Sequence, residues 1–159
     1  MERMNHLPVI ALPFWLAYSY HYGFIPLLLP LLFVLASIIT YFAYAKDKSA
    51  AEKSEWRIPE NTLHMHSLLF GWPGAIIAQQ RFRHKTKKAS FRIVFWLTVV
   101  VNVSAIGWAH TQEGNKILSS TIVKLEGVLL NNVTDRNAAK VIRFLTGFNG
   151  KSFGYIHKS

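Results

Sequence analysis

Residues 7–45 read LPVIALPFWLAYSYHYGFIPLLLPLLFVLASIITYFAYA, 39 positions without one Asp, Glu, Lys or Arg. A helix needs about 20 predominantly apolar residues to cross the hydrocarbon core of a bilayer, so this stretch is long enough for nearly two crossings. Pro8, Pro13, Gly23, Pro26 and Pro30 interrupt it, and His21-Tyr22-Gly23 makes a natural turn. The pattern predicts a short first segment over 7–20 and a stronger one over 24–45. The first is shorter than a comfortable span and is expected to thin the bilayer or to stay partly interfacial. A secretory signal peptide is the rival reading. Against it, only Arg3 makes a basic N-terminal region and no small-residue cleavage site follows the run.

A second uncharged core, IVFWLTVVVNVSAIGWAH at 93–110, ends in Trp108 and His110, where an aromatic interface anchor belongs. It is the cleaner spanning helix. Composition agrees: of 159 residues 51% are apolar and only 16% charged, with a net charge of +10. An aromatic content of 14% excludes a disordered basic tail. The absence of Cys excludes disulfides, thiolate chemistry and sulfur-bound zinc. What composition leaves is a soluble nucleic-acid binder or a small membrane protein, and the charge-poor runs decide for the membrane.

Two charged stretches lie between the runs. Lys46 to Arg57, KDKSAAEKSEWR, mixes signs and nets +1 (four basic residues less three acids), whereas Arg81 to Arg92, RFRHKTKKASFR, has six basic residues and no acid. Basic residues beside spans favour the cytoplasmic side, so both stretches are expected there. A simple crossing by 58–80 would separate them. Pro59 and Glu60 suit the first turn of a helix, Gly71-Trp72-Pro73-Gly74 breaks it, and each half is about 15 Å long at the helical rise. A re-entrant or interfacial helical hairpin over 59–83, with arms 59–70 and 75–83, returns the chain to the side it left. Such broken backbone must be shielded by flanking helices.

The tail, 111–159, carries seven Lys/Arg and three acids. Thr134 is expected to cap a helix from Asp135 to Thr146, closed by Gly147, with Ala138, Val141, Ile142 and Leu145 on one face. We read it as an amphipathic appendage docked on the membrane surface or a partner, outside the cytoplasm. The expected architecture is therefore all-α: a membrane domain over 1–110 with about three spans (7–20, 24–45, 93–110), the broken hairpin, a basic cytoplasmic arm over 81–92, and the tail.

Chemistry concentrates in WRIPENTLHMH at 56–66 and RFRHKTKKASF at 81–91. Glu60 and His64 share a helix face, and His84 could converge on them from the second arm. That set is a candidate for acid–base catalysis or for a zinc or iron ion. The competing reading is structural: Glu60 paired with Arg57, Arg81 or Arg83. For the basic arm, Arg81, Arg83, Lys85, Lys87, Lys88 and Arg92 are candidate anion-binding residues, since anionic headgroups attract each juxtamembrane Lys or Arg by about 1 kcal/mol. A phosphate-bearing ligand, a nucleic acid, or a topology signal without ligand are the other readings. Phe82 and Phe91 are too few to form a base-stacking platform, and no Gly-rich phosphate loop is present. Asn102, a lone amide in a spanning helix, is expected to hydrogen-bond across helices.

Taken in order, Tyr44-Ala45-Lys46-Asp47-Lys48, W-R-I-P-E-N-T-L-H (56–64), G-W-P-G-A (71–75), R-H-K-T-K-K-A-S-F (83–91) and F-W-L-T-V-V-V-N (95–102) resemble the bacterial integral-membrane family called domain of unknown function 1294. The resemblance covers about 24–108. It places recurrent residues at Asp47, Lys48, Arg57, Pro59, Glu60, His64, Gly71, Gly74, His84, Lys85, Thr86, Phe91 and Asn102. It implies a multi-pass bacterial inner-membrane protein without an established activity. One departure is Phe70, where a second Gly is expected before Gly71. Some members carry an N-terminal cold-shock domain that binds single-stranded nucleic acid. Only residues 1–6 precede the first apolar run here, so neither that domain nor a nucleic-acid role is expected. A weaker analogy is to membrane methyltransferases, but Lys85 follows Arg83-His84 where those enzymes have Pro.

The reading that these features favour is binding without catalysis: a basic cytoplasmic hairpin that engages anionic lipid headgroups or a protein partner, a second copy of the chain included. No cofactor is expected. The alternatives are a membrane enzyme using Glu60, His64 and His84, and a nucleic-acid binder at the membrane face.

Overall fold

The computed structural model describes residues 7–82 and 88–149. All regular structure among them is helical, in the order α1 (Leu7–His21), α2 (Leu28–Glu52), α3 (Glu60–His66), α4 (Trp72–Phe82), α5 (Ala89–Ala109), α6 (Gln112–Asn131) and α7 (Arg136–Thr146). Two of these, α2 and α5, are long and apolar enough to cross a membrane. With 15 residues, α1 is about 22 Å long, less than the roughly 30 Å of a hydrocarbon core.

Both ends of α2 differ from the expected 24–45. The turn after α1 places Gly23 at φ 74, a conformation that glycine adopts without steric cost. Pro26 then delays the helix, its carbonyl receiving the Leu29 N–H at 3.2 Å. At the other end α2 continues through the charged residues to Glu52. Ala50, Ala51 and the Lys48–Glu52 pair (3.0 Å, four residues apart) favour helix after the apolar run has ended. Ser54, at φ 57, stops it.

The chain divides into two compact units, one of residues 1–12 and 32–104, the other of 13–31 and 105–159. In the first unit the helical segment over 59–83 is broken, but the break is displaced from the one expected. Leu69 (φ −85°, ψ 52°) and Phe70 (φ 68°, ψ 0°) leave helical geometry inside the turn Ser67–Gly71. Gly71-Trp72-Pro73-Gly74, expected as the break, instead opens α4. Pro73 is tolerated there because the first-turn N–H groups have no helical partner in any case.

The two glycines serve close packing. A Cβ on Gly71 would strike Thr40 Oγ1, and one on Gly74 would strike the Ser37 carbonyl, so the start of α4 lies directly on α2. Phe70, where a second Gly was expected before Gly71, is held left-handed while its ring packs on Phe33 with centroids 4.9 Å apart. A left-handed L-residue costs about 1–2 kcal/mol. Phe70→Ala keeps that strain and loses the ring; Phe70→Gly loses both. We therefore expect Phe70→Gly to be more stable than Phe70→Ala by about 1 kcal/mol, the reverse of the usual helical order, in a denaturation series.

In the second unit, the His110 ring lies 4.4 Å from Phe24 and 6.0 Å from Trp15 by centroid. Its Nδ1 donates to the Ile106 carbonyl (2.8 Å) and its Nε2 is 3.0 Å from Ser19 Oγ. His110 is thus a packed residue tied to α1, not a bare interface anchor. Thr111 caps α6, accepting the Gly114 N–H at 3.1 Å, and Asn115 donates to the Phe24 carbonyl. The cap of α7 is Asp135, not Thr134: its carboxylate accepts the Ala138 N–H at 3.0 Å, as an N-cap does. Gly147 closes the helix as expected. Ala138, Ile142 and Leu145 are partly covered, but Val141 is exposed.

Candidate functional site

The first unit holds a buried polar seam. On α2, Thr40, Tyr44 and Asp47 recur at spacings of four and three, so they share one face, and all three are fully buried. A buried carboxylate must be hydrogen-bonded or paired. Asp47 Oδ1 accepts the Ile58 N–H at 3.0 Å, and Oδ2 lies 3.4 Å from the Arg57 guanidinium. Asp47 therefore folds the connection after α2 back onto the helix and fixes where α3 starts. Pro59 sits at the N-cap position and Glu60 in the first turn, where its charge complements the helix dipole.

Above Tyr44, Phe91 of α5 is a buried spacer. The His64 ring packs on it at 4.3 Å and the Tyr44 ring meets it edge-on at 6.4 Å. The Tyr44 hydroxyl accepts from Gln79 Nε2 of α4 at 3.3 Å, and Ser67 donates to the Leu63 carbonyl at 3.0 Å. Farther along, Asn102 Nδ2 donates both to the Thr98 carbonyl of its own helix (2.9 Å) and to the Leu68 carbonyl (3.0 Å). Leu68 lies just before the break, and Asn102 gives its carbonyl a side-chain donor. This is how broken backbone is tolerated at low dielectric. Thr40 Oγ1, Trp72 Nε1, Gln79 Oε1 and Asn102 Oδ1 are buried without a hydrogen-bond partner among the described residues.

Glu60 pairs with Lys88 at 2.7 Å and Arg57 lies against Asp47, while Arg83, a third partner considered for Glu60 from sequence, lies outside the described residues. Both members of the Glu60–Lys88 pair are partly exposed, so it is worth at most about 1 kcal/mol and acts as a tether between α3 and the end of the basic arm. Arg81 and Arg92 are exposed. Lys48 faces Glu52 on α2. Arg83, His84, Lys85, Thr86 and Lys87 lie outside the described residues, and with them the Glu60/His64/His84 set. Trp72 is buried and serves packing, whereas Trp56 is almost fully exposed.

Thr40, Tyr44, Ser67 and Gln79 were not singled out by sequence reasoning. The first two carried a signal: with Asp47 they form a polar ladder at helical spacing in a run that is otherwise apolar. Ser67 and Gln79 carried none.

These features define an all-helical chain whose two long apolar helices flank a broken, polar-lined hairpin. The family described as protein of unknown function (DUF1294) matches residues 37–91, from the Ser37 that receives Gly74 to the Phe91 beneath His64. The chain is 36% identical over 73 residues to the uncharacterized protein YsdA of Bacillus subtilis (strain 168), an alignment covering 46% of this chain and 82% of that protein. The chain belongs to this family. No solved structure matches it.

Proposed function

We propose that the protein is a multi-pass protein of the bacterial inner membrane whose basic hairpin binds anionic lipid headgroups at the cytoplasmic face. One observation carries the membrane reading. Only 17% of the most apolar 18-residue stretch of α2 is buried, and 33% of that of α5. A soluble protein would hide helices of this composition in its core; here Leu35, Ile39 and Phe42 of α2 and Ile93, Leu97 and Val100 of α5 face outward, as lipid-facing residues do. In this reading α2 and α5 cross the bilayer, α1 inserts as a shorter third segment, and α3 with α4 re-enters without crossing. The two charged stretches then share the cytoplasmic side. Support for the ligand is the exposure of Arg81 and Arg92 in an arm without acids, with Lys88 beside them shared with Glu60.

A carbonate wash should leave the protein in the membrane fraction, and single cysteines at Ser54 and Ser90 should react from the same, cytoplasmic side. Labelling of the two from opposite sides would overturn the hairpin. For the ligand, replacing Arg81, Lys88 and Arg92 by Gln in turn should weaken retention of phosphatidylglycerol over phosphatidylcholine by about fivefold per charge. Unchanged retention would leave the arm as a topology signal.

A further inference from the structure

In the second unit, α7 presents two features side by side. Arg136, Lys140 and Arg143, at spacings of four and three, form an exposed basic edge with no acid within the helix. Next to that edge, Phe144 (65% exposed) and Val141 (55% exposed) form an apolar ridge, Phe144 lying one turn from Lys140. The opposite face, Ala138, Ile142 and Leu145, is partly covered, and Thr146 donates to Glu126 of α6 at 2.6 Å. The outward residues are thus not needed to hold α7 in place. A further observation fixes the level at which the helix ends. Just beyond α7, Asn149 Nδ2 donates to the His21 carbonyl at 3.0 Å, and His21 is the last residue of α1, in the connection to α2. That connection is where the apolar run turns, and for a spanning α2 it lies at the boundary between hydrocarbon and water.

We propose that α7 is an interfacial helix seated on an anionic lipid surface, with Phe144 and Val141 inserted among the acyl chains and Arg136, Lys140 and Arg143 at the phosphates. A helix with an aromatic and aliphatic ridge beside a basic edge has the composition that such surfaces select. This proposal rests on α2 being a membrane span. It concerns a second lipid contact, far in sequence from the basic arm.

The chain has no Cys, so one introduced cysteine takes one label. Val141→Cys and Phe144→Cys, each carrying an environment-sensitive fluorophore, are made in the full-length protein and reconstituted in phosphatidylcholine vesicles with or without phosphatidylglycerol. In vesicles containing phosphatidylglycerol both labels should be blue-shifted and shielded from aqueous iodide, while a label at Thr134→Cys stays quenchable. Adding R136Q, K140Q and R143Q should lower the shielded population about fivefold per charge. Labels at 141 and 144 that stay open to iodide in both vesicles, in a protein that resists carbonate extraction, would overturn the seat of α7 and leave the membrane reading standing. A protein that carbonate releases would overturn the membrane reading and this proposal with it. Shielding that ignores lipid charge and follows protein density would overturn it in favour of contact with a second copy.

Discussion

Gly74→Ala is expected to cost about 3 kcal/mol and to remove most folded protein, although alanine is the better helix former. The added methyl would meet the Ser37 carbonyl, which is backbone of α2 and cannot rotate aside. The two helices would have to separate, and forced overpacking of this kind costs about 1–3 kcal/mol, occasionally more. Gly71→Ala should be damaging too: the Thr40 hydroxyl can turn away, but the Ala36 carbonyl lies 3.0 Å from the same Cβ. Gly107 supplies the control, since a Cβ there meets nothing within 4 Å. Gly107→Ala should be neutral or up to about 1 kcal/mol stabilising, from helix propensity. Thermal unfolding of the three variants in one detergent measures the order. A Gly74→Ala protein as stable as Gly107→Ala would show that α4 does not lie on α2 as described.

The second large effect is expected at Asp47. Asp47→Ala removes the acceptor of the partly buried Ile58 N–H and the carboxylate beside Arg57, at a cost of about 2 kcal/mol for losing a hydrogen bond to a charged group. Asp47→Asn keeps an acceptor for Ile58 and gives up the ion pair with Arg57. Its cost should be about 1 kcal/mol, because half of the Arg57 side chain is exposed and solvent screens the pair. Arg57→Ala should cost no more than that. The order Ala above Asn at position 47, with Arg57→Ala lowest, is the signature of a carboxylate whose main task is to hold a backbone amide. Equal losses for Asp47→Asn and Asp47→Ala would assign the work to the charge instead. Limited proteolysis within Lys53–Pro59 provides a second readout, since this is the connection that Asp47 ties down.

Much of this architecture was legible in the sequence. Residues 7–45 and 93–110 announce themselves through the absence of charge, a property that survives any error in helix boundaries. The broken helix was legible for a different reason: Pro59 with Glu60 opens a helix, and the Gly-Pro-rich stretch that follows interrupts it. Its break was misplaced by two residues, toward the glycines. Sequence reasoning used Gly71 and Gly74 as helix breakers, whereas their missing side chains are needed for contact with Ala36, Ser37 and Thr40. Glycine has both uses, and nothing local distinguishes them.

The partners of the polar residues were the part that did not follow. Glu60 reaches Lys88, 28 residues away, a partner that sequence reasoning did not name; Asn102 reaches Leu68 and Gln79 reaches Tyr44 at similar separations. Helical periodicity places each of these side chains on a face. It says nothing of the axial offset between two helices, and a shift of one turn, about 5.4 Å, exchanges every partner. The sequence alone determined the helical class, the apolar runs and the closing Gly147 of α7, because these depend on residues within a turn of each other. Only the tertiary structure decided the left-handed Phe70, the seating of α4 on α2 and the seam from Asp47 to Asn102, because each is set by how segments distant in the chain slide into register.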